Sequence, residues 1–177
     1  MASVPRPDAD EFASGFATYV SRVADVDDAP RALSSQRERV LQSLGALDER
    51  AAEYRYAPEK WSIKELVGHI SDAERIFAYR LLRIGRGDAT PLAGFEEDDY
   101  VRAAGSHTRT LRDLLDEWQS ARLATVTLVA GLPADAWTHR GTSNGHPVSA
   151  RALLYIILGH VDHHLDVLAT RYHVGAS

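Results

Sequence analysis

At residues 159–168 the chain reads GHVDHHLDVL, placing His160, His163 and His164 within five positions. Imidazole ligates metals and exchanges protons near neutral pH, so such a cluster asks for a chemical reason. On a helix each residue advances by about 100°, which puts His164 about 40° from His160 one way and His163 about 60° the other way. Side chains four residues apart share a face with about 5–6 Å between their Cβ atoms. Two imidazoles at that separation can converge on one ion through bonds of about 2.0–2.1 Å. The pair three apart, His160 with His163, can do the same less comfortably, and spacing alone does not choose between them.

Burial narrows the choice. The inward stripe of this segment reads Leu153, Ile156/Ile157, His160, Val161, His164, Leu165 and Leu168, with His163 toward its edge. A buried imidazole without a partner is costly, so two on one apolar stripe call either for hydrogen bonds to other buried polar groups or for a metal. Two protein ligands would hold an ion loosely, and a third must come from elsewhere. Of His69, His107, His139, His146 and His173, only His69 lies within a strongly apolar helical pattern, between Leu66, Ile70 and Ala73. The others fall in expected loops or near Tyr172, where solvation is the simpler reading. Three neutral nitrogen ligands would leave a coordination position open, as catalytic rather than structural sites do.

The elements needed to position these residues are helices. Phe12, Phe16, Tyr19, Val20 and Val23 recur at intervals of three and four, and DDAP at 27–30 then breaks the chain. Pro30 suits the first turn of a second helix carrying Leu33, Val40, Leu41, Leu44 and Leu47. Ser62 followed by Glu65 predicts a capping box opening a third helix with Ile63, Leu66, Val67, Ile70, Ile76, Phe77, Leu81 and Ile84 inward. GRGDATPLAGFEEDDY, 85–100, reads as a long connection that crosses one end of the bundle or covers a site. A fourth helix is expected over about 108–129, with Leu111, Leu114, Leu115, Trp118, Leu123 and Val126 inward, and a last one over about 149–172. Asn144-Gly145 between them is a turn signal, but no strand is expected. Several amphipathic helices around one core predict an all-α fold, a four-helix bundle with an additional N-terminal helix, forming a single domain over 1–177.

Composition bounds the functions. With 177 residues and 45% hydrophobic content the chain can build one sizeable core. It has no cysteine, which excludes disulfides, Fe–S clusters and cysteine-type zinc sites, so any reactive thiol must arrive with a substrate. A net charge of −5 argues against nucleic acid as a partner. No signal-like or membrane-spanning segment is read from the sequence, and a cytoplasmic location is expected.

Two segments, YRYAPEKWSIKELVGHISDAERIFAYRLLRIGRGDATPLAGF (54–95) and SARALLYIILGHVDHHLDVL (149–168), together resemble the DinB/YfiT-like metalloenzymes. The similarity is strongest over 54–172 and looser before it. It implies a four-helix bundle, commonly a homodimer, in which three histidines hold a divalent metal. Carried onto this chain, the ligands fall on His69 of LVGHISD and on the first and last histidines of HVDHH, His160 and His164. The family includes S-transferases that use a low-molecular-weight thiol such as bacillithiol, and related domains serve mycothiol-dependent isomerisation.

The expected function is therefore a divalent-metal-dependent enzyme acting on a small molecule, either a low-molecular-weight-thiol S-transferase or a hydrolase. A metal with neutral ligands lowers the pKa of water to about 7, and the same charge favours a thiolate over a thiol. Zinc and nickel are the foremost candidates, although imidazole also accepts copper and iron. Asp72, one turn after His69, is a candidate for orienting a ligand or acting as a base; an ordinary surface carboxylate is the alternative. Glu74 and Arg75 are expected in ion pairs of small consequence, Trp61 and Trp118 as core or interface anchors, and FEEDDY (95–100) as a solvated acidic loop. The competing function is a noncatalytic metal-binding, stress-associated interaction protein.

Overall fold

The computed structural model describes residues 3–174. Four long helices begin where a short polar side chain caps the first turn, three at a predicted boundary and α6 (Leu111–Ala130) a few residues after the expected 108. Asp28 accepts from the Arg31 amide at 3.0 Å and opens α2 (Ala29–Leu44), with Pro30 in its first turn. Ser62 and Glu65 form the full capping box of α4 (Ile63–Gly85): the Glu65 amide donates to Ser62 Oγ at 3.2 Å, and the Ser62 amide donates to Glu65 Oε2 at 2.7 Å. Thr110 caps α6 (Leu111–Ala130), and Ser149 caps α7 (Ala150–Arg171). Such caps contribute about 1 kcal/mol each. The shorter helices are α1 (Ala17–Arg22), α3 (Glu49–Ala52) and α5 (Glu97–Ala104).

Helices α2, α4, α6 and α7 form the bundle, with α4 and α2 each lying against both α6 and α7, while α1 crosses the outside of α7. This is the expected four-helix bundle with an N-terminal helix added. Its apolar core falls into two halves. One joins α1, the start of α2, the C-terminal half of α4 and the N-terminal half of α7 through Val20, Leu33, Phe77, Leu81, Leu153 and Ile157. The other joins the end of α2 and the starts of α4 and α6 to the end of α7 through Leu44, Leu66, Ile70, Trp118 and Leu168. Between the halves runs a layer of buried polar side chains: Gln36, Glu74, Arg122 and His160.

Expectations for α6, the connections and α7 need correction; on α6, Leu123 is 44% exposed rather than inward, because Arg122 takes the buried position beside it. The 85–100 connection is not loop throughout, since its acidic end starts α5 at Glu97. The Asn144-Gly145 turn closes a hairpin between β1 (Arg140–Ser143) and β2 (His146–Ser149), where no strand was expected. Both turn residues have positive φ, 51° and 75°, as a tight two-residue hairpin turn requires. RGTS and HPVS are too short, and too rich in Gly and Pro, to show alternation. Finally, α7 is long and apolar enough by length and composition to cross a membrane. The bundle accounts for that composition, because 67% of the apolar window is buried inside it.

Candidate metal centre

Helix α4 carries His69 in its second turn, and α7 carries His160 and His164 one turn apart. Their side chains meet in the interior: His160 Nε2 lies 3.0 Å from His69 Nε2 and 3.2 Å from His164 Nε2. The three rings are only 3%, 3% and 8% exposed. Burial pushes the His69 pKa down to about 4 and those of His160 and His164 well below the ordinary histidine value, with neighbouring imidazoles adding to the effect. All three are neutral at pH 7, the state a metal ligand needs.

Hydrogen bonding alone serves this arrangement poorly. His160 Nε2 carries one proton or one lone pair, directed along one line, and cannot make linear bonds to both neighbours. Three nitrogens around one ion at about 2.0–2.1 Å would stand about 2.9–3.4 Å apart for bond angles between square and tetrahedral. The two closest separations fall in that range, and all three nitrogen positions lie within 4.8 Å of one another. The donor set therefore fits a divalent ion.

A glycine precedes each of the first two histidines, and both permit a close approach. A Cβ on Gly159 would stand 2.1 Å from the Tyr19 carbonyl oxygen, so Gly159 lets α1 settle directly on α7. That contact brings the Tyr19 ring 5.4 Å from both His160 and His163. A Cβ on Gly68 would meet Ser106 Oγ at 2.2 Å, which fixes the segment after α5 against α4. Trp61 lies 4.7 Å from the His69 ring, and Phe77 meets His160 edge-on at 5.6 Å. Trp61 is thus a wall of the centre rather than a core anchor, whereas Trp118 is core.

Glu97, at the start of α5, brings Oε2 to 3.9 Å from His69 Nε2, and burial raises its pKa. It belongs to the run expected to be a solvated acidic loop, and its side chain is 59% exposed; a charged run at a helix start gives no sign of which member stands nearest the histidines. Two cavities open beside the histidines. One, of about 490 Å³, includes Phe16, Phe77, Arg80, Phe95, His69 and His160 in its wall. The other, of about 350 Å³, includes Tyr56, Lys60, Trp61, His163 and His164. Tyr19 and Glu97 line both.

His163 sits beside the cluster, with its Nδ1 buried and unpaired among the described residues. His107, His146 and His173 are exposed, and half-buried His139 bonds the Gly85 carbonyl at 3.1 Å. Asp72 is half-buried, 3.9 Å from Arg75, and faces a different cavity with Tyr100, Arg109 and Glu117 that none of the three histidines lines. Arg75 forms an exposed pair with Glu117, but Glu74 departs from expectation. It is 2% exposed and receives Arg122 Nε and Nη2 at 2.9 and 2.7 Å, while Arg122 Nη1 donates to Gln36 Oε1 at 2.6 Å.

The fold is shared with solved structures of low sequence identity. YfiT from Bacillus subtilis, described as a probable metal-dependent hydrolase with an unusual four-helix bundle topology, superposes with a TM-score of 0.73 at 13% identity, over 96% of this chain and 94% of that one. The mycothiol-dependent maleylpyruvate isomerase superposes with a TM-score of 0.66 at 15% identity over 83% of this chain, which spans 60% of that protein's length. No curated protein matches by sequence. The DinB superfamily model, however, matches residues 32–168, most of the bundle and all three histidines, and the chain belongs to the DinB superfamily.

Proposed function

We propose that this protein is a metal-dependent enzyme that transfers a small-molecule thiol to an organic electrophile, with His69, His160 and His164 holding the ion. The observation that carries this reading is the convergence of three neutral, buried Nε2 atoms beside a cavity of organic-ligand size. A divalent ion held there supplies positive charge that lowers the pKa of a thiol or water brought to it. The protein's own groups do the rest. Phe16, Phe77 and Tyr19 exclude water from the histidines, and Glu97 stands where a departing proton can be taken up. In transfer, the sulfur–carbon bond forms as the electrophile's leaving group departs with its electron pair, and the thiol proton passes to base.

Transfer is favoured over hydrolysis because two cavities meet at the histidines, giving room for two organic partners where hydrolysis needs one and water. The mycothiol dependence of one protein of the same fold supports the same choice. Zinc or nickel suits three imidazoles. The test is elemental analysis of tag-free protein, with His69→Ala and His164→Ala alongside. About one ion per chain, lost in both variants, is the expected result. Bacillithiol, mycothiol and coenzyme A are then each offered with 1-chloro-2,4-dinitrobenzene, following thiol loss. Ester hydrolysis without thiol consumption would make the enzyme a hydrolase, and a protein that takes up no ion would be noncatalytic.

A further inference from the structure

Among the described residues, three long cationic side chains are buried at 5% exposure or less: Lys64, Arg80 and Arg122. Two have anionic partners. Arg122 is held by both oxygens of Glu74, and Lys64 by Glu49 at 2.7 Å and Glu53 at 3.3 Å. Arg80 forms no ion pair among the described residues. Its Nη2 donates to the Ala93 carbonyl at 2.8 Å, and its guanidinium lies 5.8 Å from the ring centres of Phe77 and Phe95. Removing a cation from water without an anion is costly, and the depressed pKa of Arg80 has burial as its cause. None of its nitrogens is a buried orphan, and the side chain lines the larger cavity beside the histidines. A guanidinium lying over two aromatic rings and tethered to a backbone carbonyl keeps its planar fork of donors pre-set for a carboxylate.

We propose that Arg80 binds the carboxylate of an elongated organic acid whose apolar body lies along the larger cavity and whose other end reaches the histidines. The reacting end of this assignment rests on the enzyme reading above, but the anion-binding end does not. Arg80 follows His69 by eleven residues on α4, a rise of about 16 Å along the axis, part of which the arginine side chain spans. Phe77 bridges the remainder, touching His160 with one edge and lying under the guanidinium. A carboxylate seated on Arg80 therefore lays the attached carbon skeleton over Phe77 and directs it toward His160. The acid this geometry selects has an aromatic or alkyl body several bonds long; a compact acid reaches only one end. Two carboxylates, Glu96 and Glu97, line this cavity; Glu97 approaches His69, and neither forms an ion pair with Arg80 among the described residues.

The test is calorimetric binding of 4-phenylbutyrate and its neutral amide to tag-free protein, as purified and after chelation. The wild type is expected to bind the acid at least ten-fold more tightly than the amide, with or without metal. Arg80→Gln should weaken acid binding at least ten-fold and leave the amide unchanged, and Arg80→Lys should fall between. Equal affinity for acid and amide, no binding of either, or an Arg80→Gln protein that keeps the preference would overturn the assignment. So would a preference that disappears on chelation, because the ion would then be holding the carboxylate. The acid–amide comparison in wild type needs no variant to fold. It also stands apart from metal content, so failure of the enzyme reading and failure of the anion site give different results.

Discussion

Two of the polar clusters buried among the described residues differ in how their hydrogen-bonding groups are used. In the Gln36–Glu74–Arg122 network the partners are complementary. Both Glu74 oxygens accept from Arg122, Gln36 accepts a third arginine hydrogen, and the Gln36 amide donates to the Leu158 carbonyl at 2.7 Å and to Asp162 at 2.9 Å. In the histidine cluster like faces like, with three Nε2 atoms turned inward and Nδ1 of His164 buried and unpaired among the described residues. A buried polar cluster that satisfies itself explains its own presence, whereas one that does not calls for something further to bind.

Removing groups from each cluster should separate the roles. The largest effect expected is on the ion: His164→Ala should take bound metal from about one per chain to near none by elemental analysis, with the metal-free fold retained. Glu74→Leu should cost about 3–5 kcal/mol by urea denaturation, because it leaves the Arg122 charge buried and unpaired. Adding Arg122→Met should recover most of that loss, and metal content should stay at wild-type level in the double variant.

Acid sharpens the contrast. His69 ionises at about 4 in the folded chain against 6.5 ordinarily, so between those values the unfolded chain holds a proton that the folded chain does not. Stability of metal-free protein is therefore full above pH 6.5 and declines as pH falls toward 4. One such group contributes about 3 kcal/mol over that window, at about 1.4 kcal/mol per pH unit. His69→Gln should make this part of a urea-midpoint profile shallower, with His160 and His164 keeping the rest of the slope, while Glu74→Leu lowers the profile without changing the slope. The smallest effect expected is for Gly159→Ala, whose added methyl meets Tyr19 backbone. A cost of about 1–3 kcal/mol is expected as α1 shifts. Tyr19 fluorescence should then change without loss of the ion.

What the sequence made legible follows from the same physics. His160 and His164 could be placed on an inward stripe because helical phase is set by the apolar residues around them, and Ser62 with Glu65 marked where α4 begins. Arg122 was not legible. The apolar pattern pointed to Leu123, which is 44% exposed, while its neighbour Arg122 is fully buried. One residue is about 100° of rotation, and an arginine reads as surface unless its partner Glu74, 48 positions away, is known. Glu97 was hidden for a related reason, since Glu96, Glu97, Asp98 and Asp99 are chemically interchangeable until the turn into α5 is fixed. Arg80 carried no sign at all, because lack of a partner is visible only in three dimensions.

The central position of α7 also bears on how the chain acquires its fold during synthesis. This helix contacts α1, α2 and α4, all of which precede it, and its Tyr155 hydroxyl donates to the Val4 carbonyl across 151 positions. Until α7 emerges from the ribosome, the earlier helices face an open apolar groove with nothing to fill it. At about 5–20 residues per second, the interval between the end of α4 and the end of α7 lasts several seconds. Throughout it the nascent chain is a natural client for chaperones that shield apolar surface. The histidine cluster assembles only when that wait is over, so loading of the proposed metal follows the docking of α7 rather than accompanying synthesis.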